Sequence, residues 1–318
     1  EKTNLEVRKG VINAYGSVLL ADELIAIFEK NKATLEKNLY ETRKIFENGL
    51  TEEESVEQLE ITLLDIETQL SNAERSSTIA KQMFNVALGI PIESTVVFED
   101  DLDSLATEGT SLQLLDTSLN IEENVDYKIA YNLTEQRSLE MKLEKSKALP
   151  SISAFVNYGT AAFRDDFSFF DSSEPWFQSS LLGVSMNIPI FSSGMRSAKT
   201  QRARIALEQA ETELKETKEN VSLQLNTARS NYQFAIERLE NAKKNKALAE
   251  RIENKNQIKF TEGLSTSFDL RQAQTQLYTA QQQYFQSMLD LINSKAEIET
   301  VLNLPDLRIE SEEIKGKY

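Results

Sequence analysis

Along most of this chain, apolar residues recur at alternating intervals of three and four positions. Val7, Val11, Ala14, Val18, Ala21, Ile25, Phe28, Leu35, Leu39 and Phe46 keep that spacing through residues 5–48, with Lys32 and Thr42 in the remaining seam places. A seam held near 3.5 residues per repeat predicts a long helix lying against another helix. Asn48-Gly49 ends it, because glycine accepts the left-handed backbone that closes a helix. Thr51 is the predicted N-cap of a return helix, whose first turn carries Glu52, Glu53 and Glu54 where the helix dipole favours negative charge. The return seam is Val56, Leu59, Leu63, Ile66, Leu70, Ala73, Ala80, Phe84 and Ala87, and Leu88-Gly89-Ile90-Pro91 stops it.

The seam is lost over residues 92–121, where FEDDLDSLATEG is acidic and reads as a loop with short irregular structure. Glu99, Asp100 and Asp101 read either as a divalent-cation cluster or as a solvated linker. Residues 122–148 are helical again, up to Leu149-Pro150. A further helix over 195–260 carries Ala203, Leu207, Ala210, Leu214, Val221, Leu225, Ala228, Tyr232, Ala235, Leu239 and Ala242. At about 1.5 Å per residue it would run roughly 100 Å. Its partner shows Leu270, Ala273, Leu277, Ala280, Tyr284, Leu291, Ile298 and Val301, and ends at Leu302-Asn303-Leu304-Pro305. All five prolines fall outside the helical runs, as unbroken helices require.

Between the helices the period changes to two. Ile152, Ala154, Val156 and Tyr158 alternate with small or polar neighbours, and Leu182, Val184, Met186, Ile188 and Ile190 do the same. Phe163, Phe167, Phe169, Phe170, Trp176 and Phe177 gather around the connecting loop, and Phe191 stands at the other end. Two readings fit: a soluble amphipathic hairpin, or bilayer-crossing strands with aromatic rims. Two strands cannot close a barrel and an open edge cannot sit in lipid, so the second reading requires further strands.

The helical parts are two copies of one unit. Phe46–Val56 reads FENGLTEEESV and Phe260–Leu270 reads FTEGLSTSFDL. Gly49 and Gly263 are 214 positions apart, as are Pro91 and Pro305, and Lys30-Asn31-Lys32-Ala33 returns as Lys244-Asn245-Lys246-Ala247. Val7, Val11, Ala14, Ala21 and Phe46 match Val221, Leu225, Ala228, Ala235 and Phe260. Residue 1 maps onto residue 215, so a leading helix-and-strand segment is expected to be absent and the chain to be processed or N-terminally truncated. With half the strands absent, this chain is expected not to form a closed barrel and to be a soluble monomer or a non-native oligomer. Seams rich in Ala, Ser, Thr and Gln suit helices set side by side in a wall or tube.

Composition narrows the chemistry. The chain has no Cys, no His and a net charge of −16. Disulfides, thiolate metal sites, a thiol nucleophile and Ser-His-Asp catalysis are excluded. Phosphate neutralisation needs clustered Lys and Arg, so nucleic acid is not an expected partner; the acidic balance would attract cations and basic partners, or it serves ordinary solubility. No apolar run reaches about 18 residues, so no transmembrane helix is expected. EKTNLEVRKG does not have the form of a signal peptide. No cofactor or metal is expected.

The duplicated hairpins, Leu149-Pro150 opening the β region, Asn187-Ile188-Pro189-Ile190-Phe191 followed by Gly194, and Gly-Leu-Ser-Thr-x-x-Asp at 263–269 together resemble the TolC-like outer-membrane efflux proteins. The resemblance covers nearly the whole chain. It implies a homotrimer, each copy giving four strands to a shared barrel in outer-membrane lipid and its helices to a periplasmic tunnel. It also implies that Gly49, Leu50, Thr51, Gly263, Leu264 and Ser265 form tips that dock a periplasmic adaptor protein working with an inner-membrane pump. Asp269 matches an acidic position lining the closed pore entrance, though an early-helix acid favoured by the dipole accounts for it equally. Gln272 stands where a second aspartate can occur, and Ser55 replaces the acid in the first repeat.

The expected fold is therefore mainly α: duplicated long antiparallel coiled-coil helical hairpins plus one β-hairpin contributing to a membrane β-barrel. The expected segments are a first hairpin (1–89), a linker (90–121), a leading helix (122–150), a β-hairpin (151–191), a second hairpin (192–304) and a tail (305–318). Phe163, Phe169, Phe170, Trp176, Phe177 and Phe191 are the expected membrane-rim aromatics. The expected function is a non-enzymatic outer-membrane channel of a tripartite efflux or type I secretion system of a Gram-negative bacterium, gated at the periplasmic tip. The alternatives are a periplasmic adaptor and a soluble coiled-coil scaffold.

Overall fold

The structure, a computed structural model, describes residues 2–163, 165 and 175–304. The order is α1 (Lys2–Glu47), α2 (Glu53–Ala87), α3 (Leu102–Gly109), α4 (Gln113–Asp116), a 3₁₀ turn (Ile121–Glu123), α5 (Val125–Ser146), β1 (Ser151–Ala161), β2 (Phe177–Asn187), α6 (Met195–Thr261) and α7 (Ser267–Val301). The mainly helical class with one β-hairpin is the one the pattern predicts.

The duplication holds to the residue. α2 and α7 each have 35 residues, and their first and last positions are both 214 apart. Gly49, Gly89, Gly263 and Asn303 follow four helix ends with φ of 72°, 71°, 72° and 54°. In each case the next residue's N–H reaches back five positions: Leu50 to Ile45 (3.1 Å), Ile90 to Asn85 (3.0 Å), Leu264 to Lys259 (2.7 Å), Leu304 to Glu299 (3.1 Å). That bond satisfies a carbonyl the helix would otherwise strand.

The chain separates into two compact units, Glu1–Tyr127 with Lys218–Tyr318, and Lys128–Thr217. In the first, Phe28, Leu35, Leu59, Ile66, Ala73 and Ala280 form one core cluster, and Leu225, Tyr232, Leu291 and Ile298 another. Each fully buried leucine contributes roughly 2 kcal/mol. The seam's ends depart from expectation: Val7 is 53% and Phe46 37% exposed. Amide side chains interrupt the apolar layers. Asn31 donates to Gln281 (3.0 Å), Asn38 and Gln257 exchange two bonds (2.9 and 3.1 Å), and Gln282 donates to Gln69 (2.6 Å).

One expectation about this unit is qualified and another corrected. One 18-residue window of α1 is long and apolar enough, by composition, to cross a membrane. Its place in the fold explains the composition: Val18, Leu19, Ala21 and Phe28 are core residues, and Asp22 accepts from Ser77 (2.7 Å) and Lys81 (3.0 Å) of α2. The acidic linker also has a seam after all. Leu102 and Ala106 of α3 are buried and, with Leu105, pack with Leu19, Phe285 and Met288. A stripe of barely one turn was too short to register as a period.

The linker is tied down by tyrosines. Tyr15 donates to Asp100 (2.8 Å), Tyr284 to Asp103 (3.0 Å), and the Tyr232 hydroxyl accepts from Ser111 N–H (2.8 Å). Burial, with the neighbouring aspartate, pushes the Tyr15 and Tyr284 phenols up to about 12. Asp101 caps α3 by accepting from Ser104 N–H at 2.7 Å. The Asp100–Asp101 pair is thus engaged with the protein, and among the described residues no group of acidic side chains is placed to hold a metal ion.

In the second unit, Thr134 Oγ1 lies 3.0 Å from its own helix's Ala130 carbonyl and 3.2 Å from Ala210 O of α6. β1 and β2 pair antiparallel without a bulge, from Ser151 opposite Asn187 to Ala161 opposite Phe177. β2 therefore starts five residues before the alternating stretch and stops short of Ile188-Pro189-Ile190. Pro189 has no N–H for a ladder, and its carbonyl instead accepts from Arg196 at 2.9 Å. Gly183 leaves room for the Phe155 ring to lie across β2: a Cβ there would lie 2.4 Å from the ring, and the phenyl would have to move aside.

Candidate functional site

The two Gly-Leu turns are built alike. With its backbone turned left-handed, each glycine donates three residues back, Gly49 to Phe46 (2.8 Å) and Gly263 to Phe260 (3.0 Å). The leucine that follows is pushed outward: Leu50 is 78% and Leu264 73% exposed. The tips are brought together within the first unit, since Ser267 Oγ lies 3.2 Å from Ser55 Oγ and 3.3 Å from Gln58 Oε1.

Beyond the leucines the tips differ. Thr51 is not the N-cap of α2. Glu52 holds that place in extended conformation with no side-chain cap bond, and Thr51 donates to Ser55 Oγ at 3.2 Å. The Gly-Leu turn uses one more residue than the sequence pattern suggests before the chain re-enters a helix. In the second repeat Thr266 takes the equivalent place and forms a full capping box with Asp269. Asp269 Oδ2 accepts from Thr266 N–H (3.1 Å), Thr266 Oγ1 (2.7 Å) and Ser265 Oγ (3.2 Å). These donors, Thr266 first, hold the carboxyl below its ordinary range. Asp269 is therefore a capping acid in this chain, and all three bonds fall on one of its oxygens. Beside it Arg271 lies over the Phe268 ring, 5.4 Å from the centroid.

The β-hairpin is the second candidate surface. Ile152, Val156 and Tyr158 of β1 and Leu182, Val184 and Met186 of β2 share one face, and each is more than half exposed. Phe163, Trp176, Phe177 and Phe191 are exposed as well, at 80%, 48%, 58% and 84%. The Phe163 and Phe177 rings meet at a tilt of 48°, with centroids 6.4 Å apart. Phe169 and Phe170 lie outside the described residues. A continuous apolar face on a bare two-stranded ribbon demands cover from lipid or from other chains.

One partly buried acid of the helical hairpins has no mark in the sequence. Glu253 of α6 is half-buried beside Gln274 and Tyr278 of α7. Burial pushes its carboxyl up, Gln274 offsets part of that, and burial with the Glu253 charge pushes the Tyr278 phenol up. On the sequence Glu253 looks like any surface acid of a charged helix, and only the fold brings α7 over it.

The family model described as outer membrane efflux protein matches residues 123–304. Among solved structures, the outer membrane protein VceC from Vibrio cholerae superposes with a TM-score of 0.76 at 16% identity, covering 94% of this chain and 70% of its own. CusC gives 0.81 at 16% identity, covering 95% and 69%. The open-state MtrE outer membrane channel of Neisseria gonorrhoeae gives 0.77 at 16%, covering 95% and 66%. No curated protein sequence matches the chain. At such identities the structures establish a shared fold, while the family model speaks for the sequence itself. It runs from the start of the leading helix to the end of α7, more than half of the chain, and so this protein belongs to the outer membrane efflux protein family.

Proposed function

We propose that this chain supplies the outer-membrane channel of a tripartite efflux or type I secretion system, as one of three copies around a common conduit. The β-hairpin contributes strands to a barrel in outer-membrane lipid, and the helical hairpins line a periplasmic passage. Conduction is passive and no reaction is catalysed. The observation that carries this reading is the exposed apolar hairpin joined to a helical hairpin repeated without a gap.

The matched tips support docking of a periplasmic adaptor at Gly49-Leu50-Thr51 and Gly263-Leu264-Ser265, with an inner-membrane pump supplying energy. Leu50 and Leu264 are the anchors, and the paired turns offer an adaptor two copies of one shape. Asp269 is the gate acid of this reading. With Oδ2 committed to the cap, Oδ1 is the atom a passing cation meets, and three copies would favour cations over anions.

Planar-bilayer recording from the purified protein, in a form that carries all of its barrel strands, tests the proposal. Discrete, long-lived conductance steps are expected, with a cation preference that Asp269→Asn reduces. A protein that stays soluble without detergent and gives no steps would sink it. Leu50→Asp with Leu264→Asp should abolish adaptor capture and leave single-channel conductance intact. Unchanged capture would remove the tips from the docking site.

A further inference from the structure

Positive charge borders the base of the β-hairpin in a chain whose net charge is −16. From Pro175 to Leu207 there is no acidic residue, and there are four cations, Arg196, Lys199, Arg202 and Arg204. On the other strand's side, Lys142, Lys145 and Lys147 precede Leu149-Pro150 with only Glu144 among them. Both groups flank the end of the hairpin where Ser151 pairs with Asn187. α5 and α6 bring them level. Thr134 meets Ala210 at 3.2 Å, and by that antiparallel register Lys142 is level with Arg202 and Lys145 with Lys199. Lys199 and Arg202 line one groove between the two helices together with Arg137, Glu140 and Glu144.

The nearby acids are already taken. Glu140 pairs with Arg137 (2.7 Å), Glu144 with Lys147 (2.6 Å) and Glu208 with Arg204 (3.1 Å). Arg196 is pinned to the hairpin base, donating to Pro189 O and Ser192 Oγ. Lys142, Lys145, Lys199 and Arg202 remain exposed, with no carboxylate partner among the described residues. Helix chemistry explains only the first two, which stand near the C-terminal end of α5. The N-terminal end of a helix favours acids, as Glu53 and Glu54 of α2 and Asp269 of α7 show. α6 has no acid in its first turn and opens Met195-Arg196-Ser197-Ala198-Lys199 instead, against its own dipole. Away from the hairpin the order is constant: apolar strands, then exposed Leu149, Ile188, Ile190 and Phe191, then the cations. A bilayer has the same order of hydrocarbon, interface and phosphate. Arg196 to Arg202 covers about 9 Å of helix, close to the thickness of one headgroup layer, roughly 5–8 Å.

We propose that Lys142, Lys145, Lys199 and Arg202 dock on the phosphates of an anionic phospholipid leaflet, the one from which the helices leave the membrane. The occupant is a lipid surface because the free cations border the root of an exposed apolar hairpin, with charge opposite to that of the headgroups, and do not converge on one pocket. Their attraction adds to the burial of the hairpin and fixes the depth at which it sits. The proposal rests on the membrane-barrel reading above and names the lipid chemistry that the barrel's helical end selects.

Lipid competition tests it. Protein carrying all of its barrel strands is mixed in detergent with equal amounts of phosphatidylglycerol and phosphatidylcholine, and native mass spectrometry reads the lipid retained. The parent should prefer phosphatidylglycerol. Lys199→Gln with Arg202→Gln should cut that preference by at least about fivefold, the factor that one cation near an anionic surface contributes. Lys199→Arg with Arg202→Lys should keep it, as should Lys255→Gln with Lys259→Gln, the same charge loss towards the other end of α6. Equal retention of both lipids, by a parent that conducts in planar bilayers, overturns the lipid contact and leaves the channel standing. A preference that survives Lys199→Gln with Arg202→Gln, or that falls as far in the Lys255 and Lys259 variant, overturns it too. Displacement of the lipid by millimolar inorganic phosphate would mark a free-anion site and also overturn it. A parent that neither conducts nor retains lipid overturns both readings. All four substituted side chains are exposed, and circular dichroism on every variant should return the parent helix content.

Discussion

α2 and α7 are the same helix twice, yet they live differently. Both have 35 residues and both follow a Gly-Leu turn, but α2 buries nine side chains and α7 seventeen. Gln274, Tyr278, Gln281, Phe285, Met288 and Ile292 are buried in α7, whereas their counterparts Glu60, Leu64, Glu67, Ser71, Glu74 and Thr78 are not. The difference shows what duplication preserves and what it releases. Turns and helix lengths are set by local backbone chemistry and survive in both copies. The second face of each helix answers to its neighbour, and has diverged wherever the neighbour differs.

The comparison breaks most visibly in the seam. Leu291 is fully buried, and its counterpart Ser77 donates to Asp22. Leu291→Ala should cost about 3 kcal/mol, while Ser77→Ala should cost only about 1 kcal/mol. Urea titration of both variants reads this, and equal losses would mean that the two repeats share one stability despite their packing.

The turns sharpen it from the other side. A Cβ at Gly49 or Gly263 meets nothing within 4 Å, so each substitution costs only the left-handed backbone. Gly49→Ala and Gly263→Ala should each lower stability by about 1 kcal/mol, and by equal amounts. Unequal midpoints in thermal melts would show that the tips are not equivalent.

Two smaller effects depend on pH. Tyr15 and Tyr284, with phenols raised to about 12, lend stability that is complete below the ordinary value of 10.0 and is lost as pH rises from there to about 12. Tyr15→Phe with Tyr284→Phe should flatten the alkaline limb of a stability profile. The least effect belongs to Asp269. Its lowered carboxyl lends stability present above the ordinary value of 3.8 and lost as pH falls through the folded value. Asp269→Asn should trail the parent at neutral pH and converge with it in acid, and Ser55→Ala at the matching tip should show no such convergence.

The sequence pattern exposed what is local and long. Seams, the 214-residue offset and the four helix stops are written in residue type, because glycine, asparagine and proline restrict the backbone wherever they stand. Leu102 and Ala106 were hidden since an eight-residue helix offers too few positions to show a period. The start of β2 was hidden because Phe177 to Leu181 lack alternation, and pairing with β1 overrides propensity there. Thr51 misled because a threonine after a turn is a good cap in general, and only the backbone path decides which residue caps. The acidity of Asp269 could be read directly. Its commitment to Thr266 and Ser265 could not be.

The amide layers carry one last consequence. Asn31–Gln281 and the reciprocal Asn38–Gln257 pair are directional, and a slip of one helix along its neighbour would strand buried donors that alanine and leucine rungs would tolerate. They act as detents on a sliding joint. When two such rods part, the amides return them to the same notch.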